Sequence, residues 1–368
     1  MRNNRKLIPF SNPLINYNDS LKNIKKALIK DYPNEGALSK KFEIEISKKL
    51  KSKYVICCTS GTSALYLALR SLGIGVGDEV LVPNITFPAT ANAVLMTGAK
   101  PVLVDVRQSD LLIDPKNFKE QITKKTKAII PVHISGRGTN IFELKKLTKK
   151  YGIFLIEDSA EALFSGYKDK FYGTIGDLGC FSLAPNKIVT TGQGGIICTN
   201  NSILNKKIRL LKDQGRLTKI LGGNDYYSKE GYNFKLTDLQ AGLGLSQLKN
   251  IDFRIKKLRQ IYNFYYDNLK QTENFKIFDF KSKEIALWTD VFCNKRDFLF
   301  NYLLKKKIVC RKFWLPLSFS KDHIKKNSLK ISCSIYKKLL WLPSALEMDT
   351  KQLKRIAEEI NLFNKKYN

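Results

Sequence analysis

A single lysine, Lys187, lies between an apolar run and a glycine-rich turn in the stretch FSLAPNKIVTTGQGG, residues 181–195. Lys and Arg together make up 64 of the 368 residues, so the presence of a lysine in a given window says little. A lysine between a strand and a tight turn is held more rigidly than one on a helix face. In a desolvated pocket the pKa of such an amine falls and the amine becomes a nucleophile. Its position therefore makes Lys187 a candidate catalytic amine.

Two carboxylates, Glu157 and Asp158, follow the apolar residues 153–156 in the segment IFLIEDSAEA. Adjacent residues of a strand point to opposite faces, so one carboxylate can point into a site while the other points away. A buried aspartate is costly unless a cation or a strong hydrogen-bond donor faces it. Asp158 is therefore a candidate partner for a cationic group, and a helix N-cap is the alternative interpretation.

The segment TSGTSAL, residues 59–65, joins an expected strand to an expected helix. Small residues at a helix start leave backbone N–H groups and hydroxyls open to an anion, and the helix dipole adds to the attraction. Gly61, Thr62 and Ser63 could therefore hold a phosphate, although an ordinary Ser or Thr N-cap has the same pattern. The spacing of a Walker P-loop is absent, and the glycines of GIGVGDE, residues 73–79, follow a helix and indicate a turn.

Phe87 follows the apolar pattern of residues 79–86 and could stack on a planar ring, although a core phenylalanine would look the same. With Phe87 added, the candidates are a phosphate cup, a ring contact, an aspartate after a strand and a constrained lysine. Pyridoxal 5′-phosphate (PLP) requires a phosphate cup, an acidic partner for its pyridinium nitrogen and a Schiff-base lysine. Each signal is weak alone, but their order along the chain together predicts a PLP site.

The elements that must position these residues alternate in type between about residues 37 and 250. Continuous apolar strands that alternate with helices indicate an α/β fold with a mostly parallel sheet covered on both faces. In such a sheet ligands bind outside the carboxyl ends of the strands, where the four candidate segments fall. The expected strands are 54–60, 79–86, 100–106, 127–134 and 153–159, with shorter ones at 180–186 and 194–200, and the expected helices are 61–74, 87–98, 114–123 and 140–152.

The pattern changes after about residue 250, where a long helix leads into a smaller α+β segment. We therefore predict a large PLP-binding domain over residues 26–250 and a small domain over residues 251–368. The remaining residues, 1–25, are predicted to pack on the small domain or on a partner.

Composition narrows the class of protein. A hydrophobic content of 43% and a mean hydropathy of −0.25 are typical of a soluble globular chain. No apolar stretch approaches the ~18 residues of a membrane span, and the N-terminus has no apolar segment typical of a secretory signal. Seven cysteines without a C-x-x-C motif, and only two histidines, leave few ligands for a metal site. We expect reduced thiols, a cytoplasmic location and no metal.

The net charge of +31 has two interpretations. Clustered basic residues would favour nucleic acid, because Lys and Arg neutralise phosphates. Here the basic residues are spread along the chain, and several have the spacing of the solvated face of an amphipathic helix. We therefore expect a basic surface that could attract an anionic nucleotide-linked substrate, with nucleic-acid binding as the alternative.

Taken together, the motifs resemble those of the DegT/DnrJ/EryC1/StrS sugar aminotransferases, which are PLP enzymes of fold type I. The resemblance covers about residues 7–360 and follows the family's order of motifs. It rests on SGTSALYLALRSLGIGVGDEVLVPNITFPATANAV, GAKPVLVDV, KAIIPVHISG, IEDSAEA, GDLGCFSLAPNKIVTTGQGG, GYNFKLTDLQAGLGLSQL and LLWLPS. It implies the fold type I architecture, with a large α/β domain and a smaller α+β domain.

The resemblance also implies roles for individual residues. Lys187 would bind the cofactor covalently, Asp158 would pair with the pyridine nitrogen, and Phe87 would stack on the ring. The phosphate would be held by the hydroxyl residues and glycine of two loops, with one asparagine from a second subunit of a homodimer. These residues are Gly61, Thr62, Ser63, Ser182 and Asn233.

Substrate contacts are implied less directly. Glu161 stands where many members have Gln or His near the ring, and members that act on GDP-linked sugars, such as perosamine synthases, often have Glu there. The segment YKDKFYGTIGD, residues 167–177, is also similar to theirs. In contrast, FWLPLSFSKDH has Ser318 where the family often has a histidine. The resemblance thus implies amino transfer from a donor such as L-glutamate to a nucleotide-linked 4-keto-6-deoxy sugar, for surface polysaccharide or glycan biosynthesis.

Two related activities are alternatives. A PLP-dependent sugar 3-dehydratase shares the fold, but in those relatives a histidine replaces the lysine. A cyclitol or aromatic-precursor aminotransferase would keep all of the cofactor residues. A basic nucleic-acid-binding protein is the alternative outside enzymes.

Overall fold

The computed structural model describes residues 6–29, 33–218, 224–228, 230–320 and 329–367. Its helices are α1 (Tyr17–Leu28), α2 (Ala37–Leu50), α3 (Gly61–Ser71), α4 (Ala89–Met96), α5 (Pro115–Glu120), α6 (Ile141–Tyr151), α7 (Ser202–Lys212), α8 (Asp238–Leu248), α9 (Ile251–Asn268), α10 (Arg296–Lys305), α11 (Lys330–Ile335) and α12 (Thr350–Tyr367). Its strands are β1 (Tyr54–Cys58), β2 (Glu79–Pro83), β3 (Lys100–Val104), β4 (Thr126–Ile129), β5 (Phe154–Asp158), β6 (Gly166–Tyr167), β7 (Lys170–Phe171), β8 (Leu178–Ser182), β9 (Gly195–Thr199), β10 (Phe275–Ile277), β11 (Thr289–Cys293), β12 (Arg311–Lys312) and β13 (Leu339–Leu342).

Seven strands form the larger sheet in the order β1-β9-β8-β5-β4-β2-β3. The pairs from β8 through β5, β4 and β2 to β3 are all parallel, while β9 runs antiparallel to both of its neighbours. The central strands are almost fully buried, since helices cover both faces, which explains why they contain apolar runs without alternation. The prediction of an α/β fold with a mostly parallel sheet is confirmed.

Each predicted strand and helix before residue 250 has a counterpart whose ends differ from the predicted ends by at most five residues. The hairpin of β6 and β7 was not expected from the sequence, because strands of two residues have too little pattern to identify. Among the described helices, none combines the length and apolar character needed to cross a membrane.

The later part of the chain forms a second, antiparallel sheet in the order β10-β11-β13-β12. Its apolar residues pack with those of α9, α10 and α12 in a core of their own, which includes Tyr265, Phe275 and Phe363. The predicted boundary at residue 250 lies in the turn between α8 and α9.

The N-terminal residues divide between the two parts. Ile8 exchanges backbone hydrogen bonds with Lys307 and Val309, beside the second sheet. Helix α1 packs instead on α8 of the first part, where the hydroxyls of Ser20 and Ser246 lie 2.7 Å apart. The assignment of residues 1–25 to the small domain or to a partner stays a prediction.

One carboxylate joins the start of α8 to the start of α2. Asp238 accepts hydrogen bonds from the backbone N–H groups of Gly36, Leu38 and Ser39 and from the Ser39 hydroxyl. Burial alone would raise the pKa of Asp238, but the hydrogen bonds from Ser39, Leu38 and Gly36 outweigh it and lower the pKa. The ionised carboxylate therefore acts as the N-cap that α2 lacks in its own sequence.

We expect Asp238→Asn to lower the free energy of unfolding at pH 7 by about 1.5–3 kcal/mol, because an amide N–H₂ would face one of the helix donors. A lowered carboxyl pKa stabilises the fold above the ordinary value of about 4, and this contribution is lost as pH falls through the folded-state pKa. The difference between wild type and variant should therefore narrow below about pH 4.

Denaturant unfolding of wild type and Asp238→Asn at several pH values measures this difference in the free energy of unfolding. Asp252→Asn is the matched control, because Asp252 lies in the first turn of α9 but is exposed. Equal losses of stability in both variants would contradict the role of Asp238.

Candidate active site

A cavity of about 250 Å³ lies where the carboxyl ends of the larger sheet's strands face the second sheet. Its walls come from loops after β1, β2, β5 and β8 and from the region around β11 and β12. The lining residues are Ser60, Gly61, Thr62, Leu65, Thr86, Phe87, Ala89, Val132, Asp158, Ala160, Glu161, Ser182, Ala184, Asn186, Lys187, Gln193, Trp288, Arg311 and Trp314.

Lys187 lies in a tight loop after β8, and the side chain is only 12% exposed. Its backbone N–H donates to the carbonyl of Ala184, and the next carbonyl, of Ile188, accepts from the buried guanidinium of Arg254 on α9. The Lys187 Nζ lies 3.3 Å from Glu161 Oε1 and 4.9 Å from the centre of a Trp288 ring. The loop is thus anchored from behind while the amine faces the cavity.

Glu161 is held in place by the backbone of Ser135. The Ser135 N–H donates to Glu161 Oε2 at 2.8 Å, from a residue with a positive φ of 53°. The Ser135 hydroxyl accepts a hydrogen bond from the indole N–H of Trp341 at 3.0 Å. The backbone carbonyl of Ser135 accepts one from the N–H of Leu287, the residue before Trp288. Ser135 therefore positions a carboxylate and an aromatic ring, both of which contact the amine of Lys187.

Asp158 ends β5 and points into the cavity, whereas its neighbour Glu157 points to the opposite face. Glu157 accepts three backbone N–H groups and faces His133 Nε2 at 3.0 Å, so its role is structural. Asp158 accepts from the Thr90 hydroxyl at 2.8 Å and from the N–H of Ala160. No helix begins at Asp158 in the described chain, so the alternative of an N-cap does not apply.

Burial is the main influence on Asp158. It raises the pKa of this carboxyl, and the hydrogen bonds from Thr90 and Ala160 only partly oppose the shift. Within the described residues no cation lies within ion-pair distance of Asp158. A cationic ligand group beside this carboxylate would therefore be strongly favoured.

The start of α3 contains both features that its sequence allowed, a serine N-cap and backbone N–H groups open to an anion. Ser60 and Ser63 form a reciprocal capping box, so the Ser63 hydroxyl faces the helix end and not the cavity. In the described part of the chain, the N–H groups of Gly61 and Thr62 have no hydrogen-bond acceptor. A methyl group at Gly61 would lie 3.0 Å from the Cβ of Ser182, so glycine allows α3 and β8 to meet there. The open N–H groups of Gly61 and Thr62, together with the hydroxyls of Thr62 and Ser182 on the cavity wall, therefore form a cradle for an anion.

Phe87 is 51% exposed and lies at the cavity wall, with its ring 6.0 Å from that of Trp314 in an edge arrangement. The alternative of a core phenylalanine does not apply.

Two predicted residues do not line the cavity, namely Ser63 and Asn233. Asn233 forms an isolated backbone bridge with Asp213, outside the cavity wall. Ser318, at the position of the family histidine, is also buried away from it, where its N–H donates to Asn84 Oδ1.

Several wall and support residues carry no recognisable signal in the sequence. Trp288, Arg311 and Trp314 come from the second sheet's region, more than 90 residues after Lys187, and carry no local motif. Thr90 and Ser135 act through Asp158 and Glu161. A threonine in the first turn of a helix and a serine before a glycine are too common to single out.

These residues fit PLP. The open N–H groups of Gly61 and Thr62 suit its phosphate, buried Asp158 suits a pyridinium N–H, exposed Phe87 suits the ring, and the Lys187 amine suits its aldehyde.

Comparison with known proteins identifies relatives that match nearly the whole chain. The GDP-perosamine synthase of Vibrio cholerae is 33% identical over 342 residues, which cover 90% of this chain and 92% of that protein. UDP-4-amino-4,6-dideoxy-N-acetyl-beta-L-altrosamine transaminase of Campylobacter jejuni serotype O:23/36 is 33% identical over 368 residues and 96% of each chain. The Helicobacter pylori aminotransferase PseC, which is involved in the biosynthesis of pseudoaminic acid, superposes with a TM-score of 0.92 at 26% identity over 98% of this chain and 100% of that one.

Residues 15–361, nearly the whole chain, match the sequence pattern of one family. That span includes every residue of the cavity wall. The chain therefore belongs to the DegT/DnrJ/EryC1/StrS aminotransferase family.

Proposed function

We propose that this protein is a PLP-dependent transaminase that moves an amino group from an amino acid, L-glutamate in our proposal, to a nucleotide-linked 4-keto-6-deoxy sugar. The observation that carries it is the Lys187 amine, which shares one cavity with the buried carboxylate of Asp158 and the open N–H groups at the start of α3. Bound PLP supplies an electron sink for the carbon that carries the transferred amine.

The roles follow from the contacts. Asp158, oriented by Thr90, would keep the cofactor's ring nitrogen protonated. Lys187 Nζ would take and return the proton of the donor's α-carbon as general base and acid. Glu161 would hold that amine in place, because its other oxygen is fixed by the N–H of Ser135.

The substrate class is supported by the relatives. The Campylobacter relative is named for a UDP-linked sugar with an amino group at carbon 4 and no oxygen at carbon 6, and the Vibrio relative is named for GDP-perosamine. In our proposal the substrate is GDP-linked, because members of the family that act on GDP-linked sugars often have a glutamate at the position of Glu161. The aminated sugar is expected to serve in glycan biosynthesis. The lysine at position 187 disfavours a sugar 3-dehydratase. A cyclitol or aromatic-precursor substrate stays the alternative.

A homodimer is part of the proposal, since Asn233 lies outside the cavity of its own chain and would contribute to that of a second subunit. A cytoplasmic location is also proposed, because seven unpaired cysteines suit a reducing compartment.

We expect Lys187→Ala to lower turnover by more than about 10³-fold, because general acid–base catalysis alone contributes about 10²–10⁴-fold. Wild-type protein with PLP should show a visible absorbance band, and borohydride should fix the cofactor on the peptide that contains Lys187. The variant should keep the fold and the thermal midpoint of the wild type. Substantial turnover of the variant without added amines would rule out this role.

We expect Asp158→Asn to retain covalent attachment of PLP at Lys187 but to lose at least about 10²-fold in turnover, because the ring nitrogen loses its ionic partner. Thr90→Val keeps the carboxylate and removes one hydrogen bond, so its loss should be about 10-fold. Single-turnover rates of wild type and of each variant give the fold-loss that each substitution causes. An Asp158→Asn enzyme as active as Thr90→Val would mean that Asp158 does not act on the ring nitrogen.

The substrate class is tested by a panel. Enzyme with PLP and L-glutamate is mixed with GDP-, UDP- and dTDP-linked 4-keto-6-deoxy sugars, a keto-cyclitol and an aromatic precursor, and the products are identified by mass. We expect amination of one or more of the nucleotide-linked sugars. Amination of the cyclitol or aromatic precursor alone would select the alternative.

A further inference from the structure

Residues 8–14, which we call the N-terminal strap, cross from the second sheet to the first turns of α9. At the start of the strap the backbone pairs with the chain just before β12. The carbonyl of Phe10 then accepts the N–H of Ser344 at 2.8 Å, just after β13. Three residues further on, Pro13 and Leu14 contact α9 through their carbonyl groups. The strap is therefore fixed to the second sheet at one end and to α9 at the other.

The contact with α9 is made by Arg254, whose side chain is buried. Its Nη1 donates to the carbonyl of Pro13 at 2.9 Å and to that of Ile188 at 3.1 Å, and its Nη2 donates to the carbonyl of Leu14. Leu14 has a positive φ of 45°, and the turn at this residue brings two successive carbonyl groups to one guanidinium. The guanidinium thus joins the strap directly to the residue that follows Lys187.

Burial of this guanidinium is costly, because none of the described carboxylates lies within ion-pair distance of it. Burial lowers the pKa of Arg254 to about 10, and no neighbouring charge opposes the shift. A methionine of similar length would fill the same space without that cost. Only an arginine supplies a planar fork of N–H donors that can bond several carbonyl groups at once. The contacts to three carbonyl groups therefore explain why a cation is buried at this point of α9.

Phe10 connects the strap to the same amine by a second route. Its ring centre lies 5.7 Å from that of Trp288, and a ring of Trp288 lies 4.9 Å from Lys187 Nζ. Ser344, which binds the Phe10 carbonyl, also accepts through its hydroxyl the N–H of Thr289, the residue after Trp288. The strap therefore lies behind the aromatic contact of the amine as well as behind its loop.

We propose that Arg254 and the N-terminal strap together position the amine of Lys187 between Glu161 and Trp288. Arg254 is a positioning residue, because it contacts the carbonyl of Ile188 and does not line the cavity. Its effect on turnover rests on the proposed transaminase function, whereas the placement of the amine can be measured without a cofactor. A displacement of about 1 Å in a catalytic group can lower a rate by about 10²-fold.

The placement is measured first in protein without cofactor. Trace acetic anhydride acylates the Lys187 amine, and the rate is read from the peptide that contains it, relative to the exposed Lys351. We expect Arg254→Met to raise this rate at least about fivefold, because local opening exposes an amine that is 12% exposed in the wild type. Arg254→Lys should lie between the two, because an ammonium can still donate to some of the carbonyl groups. The control, Arg259→Met, removes an exposed guanidinium from the same helix and should match wild type.

The same variants are then loaded with PLP, and loss of the visible band is followed against the concentration of L-glutamate. We expect Arg254→Met to lower the maximal rate by about 10- to 100-fold, because the amine is displaced from the reacting carbon. The half-saturating concentration should change by less than about threefold, because Arg254 does not line the cavity in which the donor binds. Arg254→Lys should recover part of the lost rate.

Phe10→Leu tests whether the strap acts as a unit. By itself this substitution removes the ring behind Trp288 and should lower the maximal rate by about 10-fold. In the Arg254→Met background the further loss should be less than about threefold, because the strap is already released. Full additive losses would mean that the two contacts act independently, which would overturn the joint role.

Thermal midpoints separate this role from a general loss of stability. A lowered midpoint in Arg254→Met, with acylation of Lys187 and the maximal rate both equal to wild type, would make Arg254 a stabilising residue only and overturn the proposal. Should Arg254→Met fail to fold, Arg254→Lys and Phe10→Leu provide the same two measurements. A wild-type protein that forms no visible band with PLP contradicts the proposed function, and the acylation rates still decide how the amine is positioned.

Discussion

A primary amine held almost entirely out of water needs a fixed acceptor, and Glu161 supplies it for Lys187. The two side chains are only 12% and 5% exposed, and their atoms lie 3.3 Å apart. Burial of such a pair is favourable only when the remaining lone pairs are also satisfied. Ser135 meets this requirement through a backbone N–H in the left-handed region, which costs conformational energy that the surrounding structure must offset. The rest of the active site is arranged around that carboxylate.

This arrangement also requires the two sheets to keep one relative position. Arg137, just after Ser135, forms a buried ion pair with Asp290 on β11 of the second sheet, and its guanidinium lies over the rings of Phe278 and Phe280. Burial raises the pKa of Asp290, and Arg137 opposes the shift. Removal of one partner of such a pair typically costs about 3–5 kcal/mol, because the other charge stays buried. The pair therefore joins the loop that holds Glu161 to the sheet that contributes Trp341 and Arg311.

The outcome at individual residues shows what local sequence can predict. The position of Asp158 at the cavity was predictable, because the carboxyl end of a buried strand lies at the ligand-binding edge of the sheet and strand alternation separates Asp158 from Glu157. Gly61 and Thr62 follow from the same rule for strand ends. The sequence pattern did not separate Ser63 from them, since a hydroxyl at a helix start can face either a ligand or the helix end, and only the capping geometry shows that it faces the helix end.

The apolar pattern of the chain is enough to predict the alternation of buried strands and helices, and hence the edge of the sheet at which Lys187, Asp158 and the start of α3 meet. That is possible because hydrophobic periodicity and turn residues act over a few positions along the chain. The facing wall, with Trp288, Arg311 and Trp314, becomes visible only in the folded chain. Those side chains reach the cavity because the second sheet packs against the first, and contacts between residues about a hundred positions apart leave no periodic signal in one sequence.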